Sequence, residues 1–173
     1  MALILDCRGY KPKFGNNNYL APNATIVGDV ETGDDCSIWF NAVVRGDVNS
    51  IRIGNKVNIQ DNAVLHCTYE KTKTVIGNNV SIGHNALVHG CTIEDNVLIG
   101  MGAIVMDNCH IEANALIAAG AVVLENTRVE AGSIYAGVPA KKVKQLEADT
   151  FKDQNERIAN NYVKYADWFK QKG

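Results

Sequence analysis

Hydrophobic positions follow a period of six along most of this chain. Aliphatic residues recur at Ile93, Ile99, Val105, Ile111, Ile117, Val123 and Val129. Small or short residues stand two places earlier at Val97, Ala103, Cys109, Ala115, Ala121 and Thr127. The same rhythm runs upstream through Ile26, Ile38, Val44, Ile53, Ile59, Leu65, Ile76, Ile82 and Val88. Period six fits neither an amphipathic helix nor a long strand, but it suits very short strands separated by turns. Three hexads would make one coil of a narrow prism.

This repeat resembles that of the hexapeptide-repeat proteins over residues 20–138. The resemblance implies a left-handed parallel β-helix of triangular section, an exception to the usual right-handed crossover. Beyond residue 150 an aromatic and aliphatic stripe takes helical spacing, at Phe151, Ile158, Tyr162, Tyr165 and Phe169. We predict a C-terminal α-helix over 150–171 that packs alongside the prism. With residues 1–19 as an N-terminal cap, the chain is predicted to be one mainly-β domain, 1–173.

The composition narrows the class of protein. The chain has 173 residues, 46% hydrophobic residues and a net charge of −2, which suit one globular domain. It lacks a basic block, a signal-peptide pattern and a long apolar run, so we expect a cytoplasmic protein that binds neither nucleic acid nor membrane. Five cysteines without a CxxC pair predict reduced thiols.

The register of the hexads assigns residues to three faces. The first face carries Val44, Leu65 and Val88. The second face carries Ile38, Ile59 and Ile82. The third face carries Ile53, Ile76 and Ile93. The spacing between successive inward residues departs from six only where the chain passes from the first face to the third. We therefore predict two loops at that corner, where function often lies.

The register places three of the four histidines on two faces. His66 and His89 each follow an inward residue of the first face, so they point outward one coil apart, as does Arg45. A rung spacing of about 4.8 Å would let the two histidines share an ion. His84 lies on the second face and points away from them. The three could meet if the first face of one subunit contacted the second face of a neighbour, as in a cyclic homotrimer.

Other second-face residues fit such an interface. Asp61 stands one coil before His84, where it would meet Arg45 of the adjacent chain. Arg45 and Asp61 could hold the trimer together or take part in catalysis, and the sequence favours neither. Trp39 and Phe40 come one coil earlier, and we expect them to mark the interface because they would otherwise be exposed.

Three neutral imidazoles are typical of a catalytic zinc site. They leave zinc an open position, where a bound water reaches a pKa of about 7. A closed structural site would need a fourth protein ligand, and Cys67 and Cys91 flank the histidines. No spacing recruits either cysteine, so we interpret both as ordinary thiols.

The segments "RGDVNSIRIGNKVNIQDNAVLH" and "GHNALVH" resemble the γ-class carbonic anhydrases and their homologues. The resemblance implies a metal-binding site with His66 and His89 from one subunit and His84 from the next. The implied cofactor is Zn²⁺, with Fe²⁺ or Co²⁺ as alternatives. The implied activity is that of a lyase, the reversible hydration of carbon dioxide to bicarbonate by metal-bound hydroxide, which Gln60 orients.

Further site residues follow from the same resemblance. They are an interface network, an active-site asparagine and a helix tyrosine, at Arg45, Asp47, Asp61, Asn58 and Tyr162. Tyr162 is equally well explained as a packing residue of the helical stripe. Glutamates that transfer protons in the best-studied branch are replaced here by Val48 and Tyr69, so we expect weak turnover. Tyr69 and the adjacent Glu70 are the candidates for proton transfer.

Three other functions remain open at this point. The "AGVPAKKV" ending also occurs in hexapeptide acyltransferases, which need a general-base histidine, but the sequence gives His110 no partner and it is interpreted as a surface residue. The same metal site could hydrolyse acyl-CoA thioesters. A non-catalytic structural or assembly subunit could keep the metal without turnover.

Overall fold

The computed structural model describes residues 1–146 and 148–170, without the side chains of residues 148–152. Its elements in chain order are β1 (Leu3–Leu5), β2 (Lys13–Phe14), β3 (Tyr19–Leu20), β4 (Thr25–Thr32), β5 (Ser37–Ile38), β6 (Val43–Ile53), β7 (Asn58–Ile59), β8 (Val64–His66), β9 (Thr74–Ile76), β10 (Ser81–Ile82), β11 (Leu87–His89), β12 (Thr92–Ile93), β13 (Leu98–Ile99), β14 (Ile104–Val105), β15 (His110–Ile111), β16 (Leu116–Ile117), β17 (Val122–Val123), β18 (Arg128–Val129), β19 (Ser133–Ala136), β20 (Lys141–Gln145) and α1 (Ala148–Lys170).

The strands wind into a triangular prism. Each short strand pairs in parallel with the equivalent strand one coil on, as when Leu65 pairs with Val44 and with Val88. At the C-terminal end β20 turns back and pairs with β19 in the antiparallel sense. The predicted fold, a left-handed parallel β-helix with a C-terminal helix, is confirmed.

The aliphatic ladder fills the inside of the prism. Its residues are at most 6% exposed from Ile26 to Val129. At the corners, Ala42, Ala63 and Ala86 are at most 1% exposed, since the narrow section has room only for small side chains there. Asn62 and Asn85 precede two of these alanines with φ near +60°, a conformation that asparagine tolerates better than most residues.

One of the two predicted corner loops is wrong. The extra residues between Val44 and Ile53 belong to the continuous strand β6, which passes from the first face to the third beside β4. A backbone that keeps pairing through the corner absorbs the insertion without leaving the sheet. The second predicted loop is present at residues 67–73, which we call the corner loop.

Helix α1 packs along the second face, and this corrects the expected role of two aromatic residues. Its Tyr162 and Phe169 rings each lie 5.5 Å from the ring of Trp39, and Phe169 also lies 5.7 Å from Phe40. Trp39 is therefore 6% exposed within one chain. These aromatic residues pack against the chain's own helix, so they do not by themselves mark a subunit interface.

Two predictions about the helix fall outside the described part of the chain. They are the packing of the Phe151 side chain and the helix end at residue 171. Among the described residues, no helix has the length and apolarity needed to cross a membrane.

Candidate metal centre

His66 and His89 lie side by side on the first face. They are register partners on β8 and β11, and Nδ1 of His66 is 3.1 Å from Nε2 of His89. Two imidazole nitrogens bound to one tetrahedral zinc at 2.0–2.1 Å would be about 3.3 Å apart. The pair therefore already has nearly the separation that two zinc ligands require.

A carboxylate network supports His66. Asp47 Oδ1 lies 3.0 Å from His66 Nε2, and Arg45 donates to Asp47 Oδ2 at 2.5 Å. Burial lowers the pKa of His66, although Asp47 opposes the shift. Burial would raise the pKa of Asp47, but hydrogen bonds from Arg45 and His66 outweigh it and lower that pKa. At neutral pH the histidine is thus uncharged and the carboxylate charged, which are the forms that suit a metal site.

His84 lies apart from this pair, as the register predicted. It is on the second face, where its Nδ1 is 2.8 Å from Asp61 Oδ2. Among residues 1–146 and 148–170, no group of three His, Cys, Asp or Glu side chains in one chain could hold a metal ion. One chain therefore presents two candidate ligands on one face and the third on another.

Two amides extend the second-face group. Gln60 Nε2 donates to Asn58 Oδ1 at 2.9 Å, and Asn58 Nδ2 donates to Ser81 Oγ at 2.7 Å. All three side chains are buried. This chain of bonds fixes the Gln60 side chain, with its amide nitrogen as the donor to Asn58.

The structure brings Tyr162 to the same face. Helix α1 holds its ring against Trp39, and burial raises the pKa of the phenol to about 12, with a further contribution from the charge on Asp61. Tyr162 is thus a protonated hydrogen-bond donor close to Asp61. It also packs against the aromatic cluster, as its place in the helical stripe predicted.

The corner loop borders a cavity of about 280 Å³ beside the first-face group. Arg8, Tyr10, Asp47 and Glu70 are among the residues that line it. Tyr69 is 54% exposed, and the Arg8 guanidinium carbon lies 5.2 Å from the centre of its ring. Asp47 contacts both His66 and this cavity, which links the candidate ligand to the loop.

Cys67 and Cys91 are not placed to complete a metal site. Both side chains are buried and at most 2% exposed, so neither lies beside the outward histidines. Cys67 Sγ contacts Thr74 Oγ1 at 3.4 Å. All five cysteines are free, in agreement with the predicted reduced state.

His110 has a partner that the sequence did not reveal. Its Nε2 lies 2.6 Å from Glu94 Oε1. The same arrangement recurs one coil on, where Arg128 Nε donates to Glu112 Oε1, and each glutamate also accepts a backbone N–H. The repetition indicates a structural ladder on the third face, which explains His110 without a general-base role.

Asp107 is a site residue that the sequence analysis missed. Its Oδ1 lies 2.7 Å from Nδ1 of His89. The six-residue pattern gave no signal for it, because Asp107 stands at a corner, outside the ladder of outward histidines. Its position one coil after Gly90, next to the ligand, is the feature that could have suggested it.

Comparisons with known proteins agree with the fold and indicate a family. The family model "Bacterial transferase hexapeptide (six repeats)" matches residues 73–105 and 90–125. The carbonic anhydrase of Geobacillus kaustophilus is 42% identical over 168 residues, 97% of this chain and 91% of the relative. A "Probable carbonic anhydrase" of Methanocaldococcus jannaschii is 49% identical over 151 residues, 87% of this chain and 94% of the relative.

Among solved structures, a hexapeptide transferase family protein from Anaplasma phagocytophilum superposes with a TM-score of 0.91 and 36% identity, covering 96% of this chain and 98% of that one. Its fold agrees with the repeat model. The two relatives above are named carbonic anhydrases, while this solved structure is named a transferase. The chain therefore belongs to the γ-class carbonic anhydrase-like family of hexapeptide-repeat proteins.

Proposed function

We propose that the protein forms a cyclic homotrimer whose interfaces each bind one zinc ion and hydrate carbon dioxide reversibly. The observation that carries the proposal is the pairing of His66 and His89 at 3.1 Å on one face, with His84 on another. When the first face of one subunit meets the second face of its neighbour, the two histidines of the one and the single histidine of the other form a three-ligand site. Relatives named carbonic anhydrase supply the reaction.

The donor set fits zinc. Three neutral imidazoles leave an open position, at which a bound zinc ion would lower the pKa of water to about 7 and supply a nucleophile. Asp47 and Asp61 each hold one histidine through its other ring nitrogen. With the amide nitrogen of Gln60 committed to Asn58, its carbonyl oxygen would accept a hydrogen bond from the reacting water and orient it. Fe²⁺ or Co²⁺ could use the same nitrogen donors.

The exposed rungs beyond the histidines support the same interface. On the first face the ladder of His66 and His89 continues to Met106 and Leu124, and on the second face His84 is followed by Met101. Leu124 and Met101 are 49% and 59% exposed in the single chain. Contact between the faces would cover these apolar side chains. It would also bring Asp61 of one subunit towards Arg45 of the next.

For proton exit we favour Glu70 over Tyr69. Glu70 lines the same cavity as Asp47. The hydrogen bond between Glu70 and the Tyr69 phenol raises the pKa of Tyr69, which makes Tyr69 a poor proton carrier. We expect Glu70→Gln to lower kcat by up to about 100-fold in weakly buffered solution, with recovery on adding imidazole. Tyr69→Phe, the matched control, should keep kcat. Stopped-flow hydration assays measure both, and an unchanged kcat for Glu70→Gln would exclude this route.

Metal analysis together with a carbon dioxide hydration assay tests the proposed function. We expect about one zinc per chain, because a cyclic trimer has three interface sites for its three chains. We also expect hydration above background that disappears after chelation and returns with zinc. Metal-loaded protein without hydration would overturn the lyase assignment and lead to thioester hydrolysis as the next assay. Metal-loaded protein inactive in both assays would favour an assembly role.

A further inference from the structure

Asp107 is held on both carboxylate oxygens. Its Oδ1 accepts from Nδ1 of His89 at 2.7 Å and from Thr72 Oγ1 at 3.1 Å, while its Oδ2 accepts from Thr68 Oγ1 at 2.6 Å. The Asp107 side chain is 18% exposed. Two threonines of the corner loop therefore fix the orientation of this carboxylate beside His89.

Gly90 leaves the space that this contact needs. A Cβ atom at Gly90 would lie 1.9 Å from Asp107 Oδ1 and 2.2 Å from Thr72 Oγ1, distances too short for any side chain. The φ of Gly90 is also +52°, which favours glycine. The residue directly after the candidate ligand His89 is thus shaped to let Asp107 and Thr72 approach.

The contact selects one tautomer of His89. A carboxylate accepts but does not donate, so a neutral His89 that bonds to Asp107 carries its proton on Nδ1. The lone pair is then on Nε2, the atom that faces His66 at 3.1 Å. The other two candidate ligands have their own carboxylates, His66 with Asp47 and His84 with Asp61. Asp107 completes this pattern.

We propose that Asp107 is a positioning residue for the metal centre. It keeps His89 in the Nδ1–H tautomer, with Nε2 aimed at the ion, and Thr68 and Thr72 tie this arrangement to the corner loop. The inference rests on the proposed metal-dependent function. It adds a residue outside the ligand set whose loss would weaken metal binding without removing a ligand.

Asp107→Asn tests the proposal, because asparagine has almost the same shape but can donate to Nδ1 and favour the other tautomer. We expect zinc affinity, measured by competition with a chromophoric chelator, to fall by about 10- to 100-fold. In metal-free protein at pH 8, nitrogen NMR of labelled histidine should show His89 shifting from the Nδ1–H form towards the Nε2–H form. Thr68→Val removes one donor to Asp107 and should produce a smaller change in the same direction.

Asp95→Asn is the matched control, since Asp95 also accepts hydrogen bonds at a turn, from Asn78, but touches no histidine. It should change neither the zinc affinity nor the His89 spectrum. If Asp107→Asn and Thr68→Val lower only the melting temperature, Asp107 merely holds the corner loop and the proposal is wrong. If wild-type protein binds no zinc, the metal-dependent function fails as well. Unaltered zinc binding in Asp107→Asn overturns the positioning role alone.

Discussion

Co-expression of two zinc-free variants is expected to restore about a quarter of the wild-type zinc content. One chain carries His84→Ala and the other carries both His66→Ala and His89→Ala. Random mixing makes about three quarters of the trimers mixed, and each mixed trimer contains one complete interface out of three. Each variant expressed alone should lose nearly all tightly bound zinc, since every one of its interfaces lacks at least one ligand.

The physical reason for this recovery is the separation of the ligands within a chain. His66 and His89 already lie 3.1 Å apart, while His84 is directed to Asp61 on a different face. A site inside one chain would gain nothing from mixing. A site between chains needs only that one subunit supply two imidazoles and its neighbour the third.

Native mass spectrometry of differently tagged chains would measure both trimer composition and zinc content. His110→Ala is the matched control, because His110 is the remaining histidine and its partner is Glu94; it should keep full zinc. Mixed trimers that form but hold no zinc would contradict the shared site. Full zinc occupancy in the His84→Ala protein alone would contradict it too.

The second large effect is expected in the prism interior. Ile76→Ala should lower the free energy of unfolding by about 2–5 kcal/mol, from lost burial and the cavity left behind. Ile76 is 2% exposed and stacks between Ile53 and Ile93. Because the section of the prism is narrow, neighbouring coils have little freedom to collapse into the space.

The adjacent residue supplies the control. Val75 is on the same strand, β9, but points outward and is 41% exposed, so Val75→Ala should change the unfolding free energy by no more than about 0.5 kcal/mol. Denaturant unfolding followed by circular dichroism, at one fixed protein concentration, compares the two. Equal losses would show that alternation along β9 does not separate interior from exterior.

Much of the fold could be predicted because the hexad pattern is local. The aliphatic residues that recur every six positions from Ile93 to Val129 are all buried. The register of this repeat places His66 beside His89, one coil apart. The neighbouring positions of His66 and His89 were predictable for the same reason. An outward position one coil from another outward position is a neighbour, whatever the side chains are.

The sequence pattern did not predict contacts made by segments outside the six-residue repeat. Helix α1 covers Trp39, although the aromatic pair looked like an interface in the sequence. Strand β6 absorbs an insertion that looked like a loop. In both cases the hydrophobic pattern indicated that something must cover or connect a face, but it contained no information about which segment does so.

The sequence by itself determined the prism, its three faces and the assignment of two histidines to one face and one to another. These follow from the steric needs of a coil made of three six-residue repeats, which each repeat satisfies separately. Only the tertiary structure decided how those histidines are held. Thr68 and Asp107 are 39 residues apart in the chain yet share a 2.6 Å hydrogen bond beside His89. Such a contact depends on side-chain packing at a corner, where coils distant in sequence meet and the repeat is broken.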